Sequence, residues 1–354
     1  LKNPTMTAAG PITRDGHTMK KVAKYGVGCL VAKTMSVKPG TIPRPYMAAV
    51  KRGTTGLLNT ETWSEIPYTQ WAEKEFKIAK ESGLPVIASM GYSAEDLKTL
   101  GPVVERAGVD GIEFSLHYVG RDFRPIIEIA KSLRDSVKVP IFSKISPPIA
   151  NLEELAVALE KSGMDGIVTI NTLGPCLAID VETATPYMAS ENGYGWISGP
   201  AIKPIGVCYT ARVARTVKIP VIGCGGIMNG IDAIEYIMAG ASAVQILSAA
   251  ILRGLSIYGK IVKEMEQFMK EHGYETIEEM KGIALKNLPA APIRVESKPP
   301  TLLEDMCNGC KVCESVCVYD AITMVEKTGL KYVIPSVDHG KCYGCGMCVS
   351  MCPT

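Results

Sequence analysis

Ala107-Gly108-Val109-Asp110-Gly111-Ile112 and Ser162-Gly163-Met164-Asp165-Gly166-Ile167 are two copies of one phrase, and that phrase decides the fold. Its first glycine suits the left-handed C′ position that ends a helix, and the apolar run that follows opens a buried strand. The same junction is written in Tyr25–Val31, in Ser82–Ile87 and in Ala239–Val244. Lys138-Val139-Pro140-Ile141-Phe142 and Lys218-Ile219-Pro220-Val221-Ile222 add two more, in which proline forbids the helix from continuing. With Met6–Ala9 as the opening strand these make eight strands alternating with amphipathic stretches. Eight is the number that closes a (β/α)8 TIM barrel of the α/β class, and an open doubly wound sheet is the competing arrangement.

The remaining composition bounds the function. The chain has 354 residues, and its 38 Lys+Arg against 36 Asp+Glu leave a formal charge of +2, which gives no electrostatic case for nucleic acid or a membrane surface. A hydrophobic fraction of 47% excludes disorder for most of the chain. The longest uncharged apolar stretch, Tyr236–Leu252, is interrupted by Gly240, Ser242, Gln245 and Ser248 and falls short of the roughly 20 residues of a bilayer span, so no membrane span is expected. The start, Leu1-Lys2-Asn3-Pro4, lacks the pattern of a secretory signal.

Of 12 cysteines, eight fall between Cys307 and Cys352, in CNGCKVCESVC from Cys307 and CYGCGMCVSMCP from Cys342. Two copies of C-x2-C-x2-C-x3-C are the spacing of two cubane 4Fe–4S clusters, in which three thiolates of one run and the fourth of the other hold each cluster. The expected ligand sets are Cys307, Cys310, Cys313 with Cys352, and Cys342, Cys345, Cys348 with Cys317. Zinc is the alternative, but structural zinc uses paired knuckles with four ligands. Regular ligand spacing points to a reducing cytoplasm, and oxygen-sensitive clusters to an anaerobe. The organisation expected is a barrel over 1–286, a proline-rich linker over 287–301, and a bacterial-type two-cluster ferredoxin domain over 302–354, which that last segment resembles.

Active sites of such barrels lie at the C-terminal ends of the strands. There the sequence offers Ala9-Gly10 after the first strand, Lys33-Thr34 after the second, Lys144 on the fifth, Asn171-Thr172 after the sixth, Gly225-Gly226 after the seventh and Ser248-Ala249 after the eighth. Glycines after strands seven and eight hold phosphates through backbone N–H groups, and two lysines facing one cavity can stabilise an anionic reduced flavin.

The segments NPTMTAAG, VAKTMSVKPG, GLLNTETWSE, VPIFSKISP, IVTINT, ISGPAIKPIG, IPVIGCGGI and AGASAVQIL together resemble the FMN barrel of dihydroorotate and dihydropyrimidine dehydrogenases, over about residues 1–254. Fusion to a two-cluster ferredoxin domain is similar to the dihydropyrimidine dehydrogenase branch. The resemblance implies FMN held by Ala9, Gly10, Lys33, Lys144, Asn171, Gly199, Gly225, Gly226, Ser248 and Ala249, with Thr34 beside them. It also implies substrate contacts from Asn59, Glu61, Asn171 and Thr172. After strand four the family has Asn-x-Ser-Cys-Pro, whereas this chain has Ser115-Leu116-His117-Tyr118. The substrate-binding Asn is replaced by Ser115 and the catalytic Cys by Tyr118. His117 and Tyr118 are therefore the acid/base candidates, with packing as their alternative role.

The function expected is an iron–sulfur flavoprotein oxidoreductase. It reduces, or in reverse oxidises, an activated C=C bond of a small ring or conjugated carbonyl compound, with electrons passed through two 4Fe–4S clusters. The alternative is a non-catalytic electron-transfer subunit of a larger redox complex. No strand-turn-helix Gly-x-Gly-x-x-Gly is present, so the expected electron partner is a separate ferredoxin or FAD/NAD(P)H oxidoreductase subunit, in a homodimer or hetero-oligomer.

Overall fold

A computed structural model describes residues 1–91, 93–115, 122–289 and 296–354. They divide into two compact units, Leu1–Leu288 and Pro289–Thr354. Among the described residues no helix is long and apolar enough to cross a membrane.

The first unit is a parallel barrel of β1 (Thr5–Thr7), β2 (Leu30–Val31), β3 (Val86–Met90), β4 (Gly111–Ser115), β5 (Ile141–Ile145), β6 (Gly166–Thr169), β7 (Val221–Cys224) and β8 (Ala243–Ile246). The strands run in the order 1-8-7-6-5-4-3-2. A parallel bridge between Met6 and Cys29 closes the ring, so the doubly wound alternative is set aside. Val31, Ile87, Val168, Ile222 and Ala243 fill the barrel interior. Their strand neighbours, such as Leu30, Val86, Ala88, Ile112 and Ile167, pack outward against the helices. This is the inside–outside alternation expected of strands buried on both faces.

The repeated phrase has a physical job at each of its positions. Gly108 and Gly163 take φ of +83° and +81°, closing the helices Ala94–Arg106 and Leu152–Lys161. Asp110 and Asp165 accept the first N–H of the preceding strand, Val86 N at 2.7 Å and Ile141 N at 2.9 Å. Gly111 and Gly166 flank β5, and a methyl at either would lie 3.3 or 2.8 Å from the Phe142 ring, so the two bare strands make room for that ring inside the barrel. The proline junctions are stapled in parallel fashion. Glu105 Oε1 accepts Lys138 N and Val139 N, and Glu160 Oε1 accepts Lys218 N and Ile219 N, so four loop donors are satisfied by two helix-end carboxylates.

Beside the barrel mouth lies a four-stranded antiparallel sheet, in spatial order Met47–Val50, Gly56–Asn59, Gly195–Ser198 and Leu173–Cys176. It pairs Asn59 with Trp196 and Leu58 with Ile197. The sequence reading had no strand here.

The second unit contains an antiparallel pair, Ile322–Val325 with Ile334–Val337, and two short helices, Val312–Ser315 and Met347–Ser350. The helices are equivalent. Each follows a left-handed residue, Lys311 at φ +63° and Gly346 at φ +82°, and each carries the third cysteine of its run. Part of the segment read as a linker belongs to this unit, because the Ser297 hydroxyl donates to the carbonyl of Cys342.

Candidate active site at the barrel mouth

The C-terminal ends of the strands surround a cavity of about 570 Å³, within the size range of sites for small molecules and cofactors. Ala9, Gly10, Lys33, Thr34, Asn59, Glu61, Ser115, Lys144, Asn171, Thr172, Gly225, Gly226 and Ser248 all line it. Two expected cofactor residues do not. Ala249 is fully buried behind Ser248, and Gly199 stands behind Gly226, its carbonyl 2.7 Å from where a methyl on Gly226 would be. His117 and Tyr118 lie outside the described residues.

Polar side chains converge on the cavity from different strands. Lys33, just past β2, donates from Nζ to the Thr62 carbonyl at 2.7 Å and pairs with Glu61 Oε1 at 2.9 Å. Burial drives Lys33 below the usual lysine range against the pull of Glu61, and drives Glu61 above the usual carboxylate range against the pull of Lys33. At the end of β4, Ser115 Oγ accepts from Asn171 Nδ2 at 2.8 Å, while Asn171 Oδ1 accepts Thr172 N at 2.8 Å. On the neighbouring sheet Asn59 Nδ2 donates to the Trp196 carbonyl at 3.2 Å.

Of the tryptophans, Trp71 is core and donates to Ser64 Oγ. Trp63 and Trp196 line the cavity. Sequence reasoning also missed Glu113, Cys224 and Gln245, which point into the barrel below the site and form part of its floor. A charged or amide residue inside a buried apolar strand was the available signal for Glu113 and Gln245.

The cavity fits a phosphorylated flavin on two counts. Gly225 and Gly226 hold φ of +117° and +74°. A methyl on Gly226 would collide with the Gly199 carbonyl and with Lys203 N at 2.8 Å, so this turn stays bare and its backbone can approach a ligand closely. Lys33 and Lys144, both buried, line the same cavity, and two such cations suit an anionic reduced flavin.

The family model for dihydroorotate dehydrogenase matches residues 1–269, and that for the 4Fe-4S dicluster domain matches residues 306–354. The chain belongs to the dihydroorotate dehydrogenase family. That family is one of FMN-binding oxidoreductases acting on CH–CH groups. Its curated relatives include the protein named dihydroorotate dehydrogenase B (NAD(+)), catalytic subunit, from Thermoplasma volcanium, 39% identical over 297 residues, covering 81% of this chain and 96% of the relative. The protein of that name from Methanothermobacter thermautotrophicus is 33% identical over 295 residues, covering 80% and 95%. That from Pyrococcus abyssi is 31% identical over 306 residues, covering 81% and 96%. These similarities are to dihydroorotate dehydrogenases rather than to the dihydropyrimidine branch that the fused ferredoxin domain suggested.

In the second unit the fit to iron–sulfur clusters rests on donor chemistry. All eight cysteines of the two runs are free thiols. Backbone N–H groups already point at two of the sulfurs, Ala321 N to Cys317 Sγ and Gly344 N to Cys342 Sγ, each at 3.4 Å. Such donors stabilise thiolate ligands and tune the potential of a cluster.

Proposed function

We propose that the chain is an FMN-dependent oxidoreductase that interconverts CH–CH and C=C in a small cyclic or conjugated carbonyl compound, wired to two 4Fe–4S clusters on the same chain. One observation carries the reading most directly: a bare glycine turn, two buried lysines and a set of amide and hydroxyl groups meet in one cavity, in a chain that also carries two cysteine runs with cluster spacing.

Ala9, Gly10, Lys33, Thr34, Lys144, Asn171, Gly225, Gly226 and Ser248 would hold the flavin, with Gly199 and Ala249 supporting the turn from behind. FMN bound there supplies two-electron hydride chemistry that can also exchange single electrons with clusters. Asn59, Glu61, Asn171 and Thr172 offer donors and acceptors suited to the carbonyl and N–H edge of a small ring. Ser115 presents a hydroxyl where the family has an amide, so the ring taken differs on that edge from the family's pyrimidine. Trp63 and Trp196, which line the cavity, would shield a bound ring from water. His117 or Tyr118 would supply the proton at the reacting carbon. Cys307, Cys310, Cys313 with Cys352, and Cys342, Cys345, Cys348 with Cys317, would hold the two clusters. The electrons come from a separate ferredoxin or FAD-containing pyridine-nucleotide oxidoreductase.

The test is an anaerobic determination of iron, sulfide and flavin on the purified chain, followed by a screen of orotate, uracil, thymine and cyclic enones. About eight iron and one FMN per chain with turnover of one compound supports the proposal. About eight iron without flavin makes the chain an electron-transfer module and overturns it.

A further inference from the structure

At the cavity floor, Lys144 is joined to two side chains from two other strands, Glu113 and Gln245, to which the proposed function gives no role. Glu113 on β4 is fully buried. Its Oε2 accepts from Gln245 Nε2 on β8 at 2.5 Å, and its Oε1 has no hydrogen bond and lies 3.6 Å from Lys144 Nζ. Lys144, on β5, donates at 2.8 Å to Gln245 Oε1. The glutamine amide therefore has a forced orientation. Its NH2 must face the carboxylate, which leaves its carbonyl, and only its carbonyl, for the ammonium.

We propose that Glu113 is a positioning residue for the flavin site: through Gln245 it aims the Lys144 ammonium at the cavity, and as the buried counter-ion it keeps that ammonium charged. This rests on the reading of the cavity as the FMN site. An ammonium removed from water reverts to the neutral amine unless a negative charge compensates it. The groups that could supply that charge are few. Burial works to lower Lys144, and Cys224 on β7 and Glu113 together hold it above the usual lysine range. Burial pushes the Cys224 thiol up, and Lys144 pulls against that shift. Cys29, beside β2, is likewise pushed up to about 12 by burial, with Asp110 and Glu113 adding to it. Lys33 and Glu61 pair with each other on the cavity wall. On β6 the residue in register with Lys144 is Val168, which carries no charge. The carboxylate within ion-pair distance of Lys144 is Glu113, at 3.6 Å.

The test compares wild type, Glu113→Gln, Glu113→Asp and Lys144→Met in the full chain with its clusters, reading FMN dissociation by flavin fluorescence and the flavin midpoint potential across pH. Wild type and Glu113→Asp should hold FMN evenly from about pH 6 to about pH 9.5. Glu113→Gln should match wild type at the acid end and lose about tenfold or more in affinity at the alkaline end, converging on the pH-independent weak binding of Lys144→Met. Its midpoint potential should fall more steeply with pH in step. A Glu113→Gln profile that parallels wild type at every pH overturns the inference. A wild-type chain without FMN instead overturns the reading of the cavity.

Should Glu113→Gln fail to fold, thermal melting of Lys144→Met and of Glu113→Gln/Lys144→Met decides. A buried ion pair predicts that the double variant melts later than Lys144→Met, because the orphaned carboxylate is gone. A double variant that melts earlier than Lys144→Met overturns the pairing.

Discussion

Lys33 and Glu61 face each other across 2.9 Å with side chains only 6% and 13% exposed, and both are shifted toward their neutral forms by burial. The pair is thus poised at the cavity wall, each charge sustained by the other. Glu61→Gln keeps the shape and removes the charge. For Lys33, burial is the largest influence and lowers its pKa, and Glu61 is the chief opposing one. The variant therefore lets Lys33 lose its proton at lower pH than in wild type. In turnover with a dye as electron acceptor, the alkaline limb should move to lower pH. An unmoved alkaline limb would show that Lys33 does not need this partner.

Gly226 tests the phosphate cradle. At φ +74°, with the Gly199 carbonyl 2.7 Å and Lys203 N 2.8 Å from a would-be methyl, Gly226→Ala is strained and must displace backbone. The turn follows the end of β7 and lies outside the barrel strands, so the barrel should still fold, with its melting point lowered. FMN content should fall to a small fraction of wild type, while iron content stays unchanged. Full FMN retention would place the phosphate elsewhere.

The barrel was readable because each of its junctions is local: a glycine closes a helix and the next few residues open a strand, as in Gly108 to Ile112 and Gly163 to Ile167. The opening strand was also found, though it spans Thr5–Thr7 rather than Met6–Ala9. What sequence reading missed is non-local. Asn59 and Trp196 pair across 137 residues in a sheet whose strands are four residues each, too short and too far apart for periodicity to show. Glu113 went unread, and Gln245 was read only as a break in an apolar stretch, for a related reason. Each occupies an inward-facing position in an apolar run, and only the closed barrel brings them together, 132 residues apart.

Asp165 sits at the beginning of β6, away from the cavity, and separates stability from function. Its Oδ2 accepts Ile141 N at 2.9 Å and Arg134 Nη1 at 2.8 Å. Asp165→Ala leaves the first N–H of β5 without its partner, at a cost of about 1–3 kcal/mol. Denaturant unfolding should show that loss, while FMN content and turnover per bound flavin stay at wild-type levels. A fall in turnover per flavin would mean that this strand start influences the mouth of the barrel.

Ser115 is the residue most exposed to a gain-of-function test. Its Oγ accepts from Asn171 at 2.8 Å, so one amide of the site is spent on a hydroxyl where the family places a second amide. Ser115→Asn supplies a longer group with both a donor and an acceptor. If this position sets the choice of ring, the variant should bind uracil or orotate about tenfold or more tightly than wild type, because a polar edge gains its missing partner. Equal affinities in calorimetry would remove Ser115 from the specificity set.

The crossed ligand sets proposed for the second unit make a prediction that an arrangement of one cluster per cysteine run reverses. Cys310 belongs to the first run and Cys352 to the second, yet the spacing assigns both to one cluster. If that is so, Cys310→Ser/Cys352→Ser damages a single cluster twice and leaves the other intact, and about four iron per chain should remain. If each run instead held its own cluster, the same double variant would strike both, and the iron content would collapse. Cys310→Ser/Cys317→Ser is the mirror experiment, striking both clusters in the crossed arrangement and only one in the uncrossed. Iron content and the electron paramagnetic resonance of the reduced chain, measured on the two double variants side by side, assign the ligands, because the two arrangements predict opposite rankings.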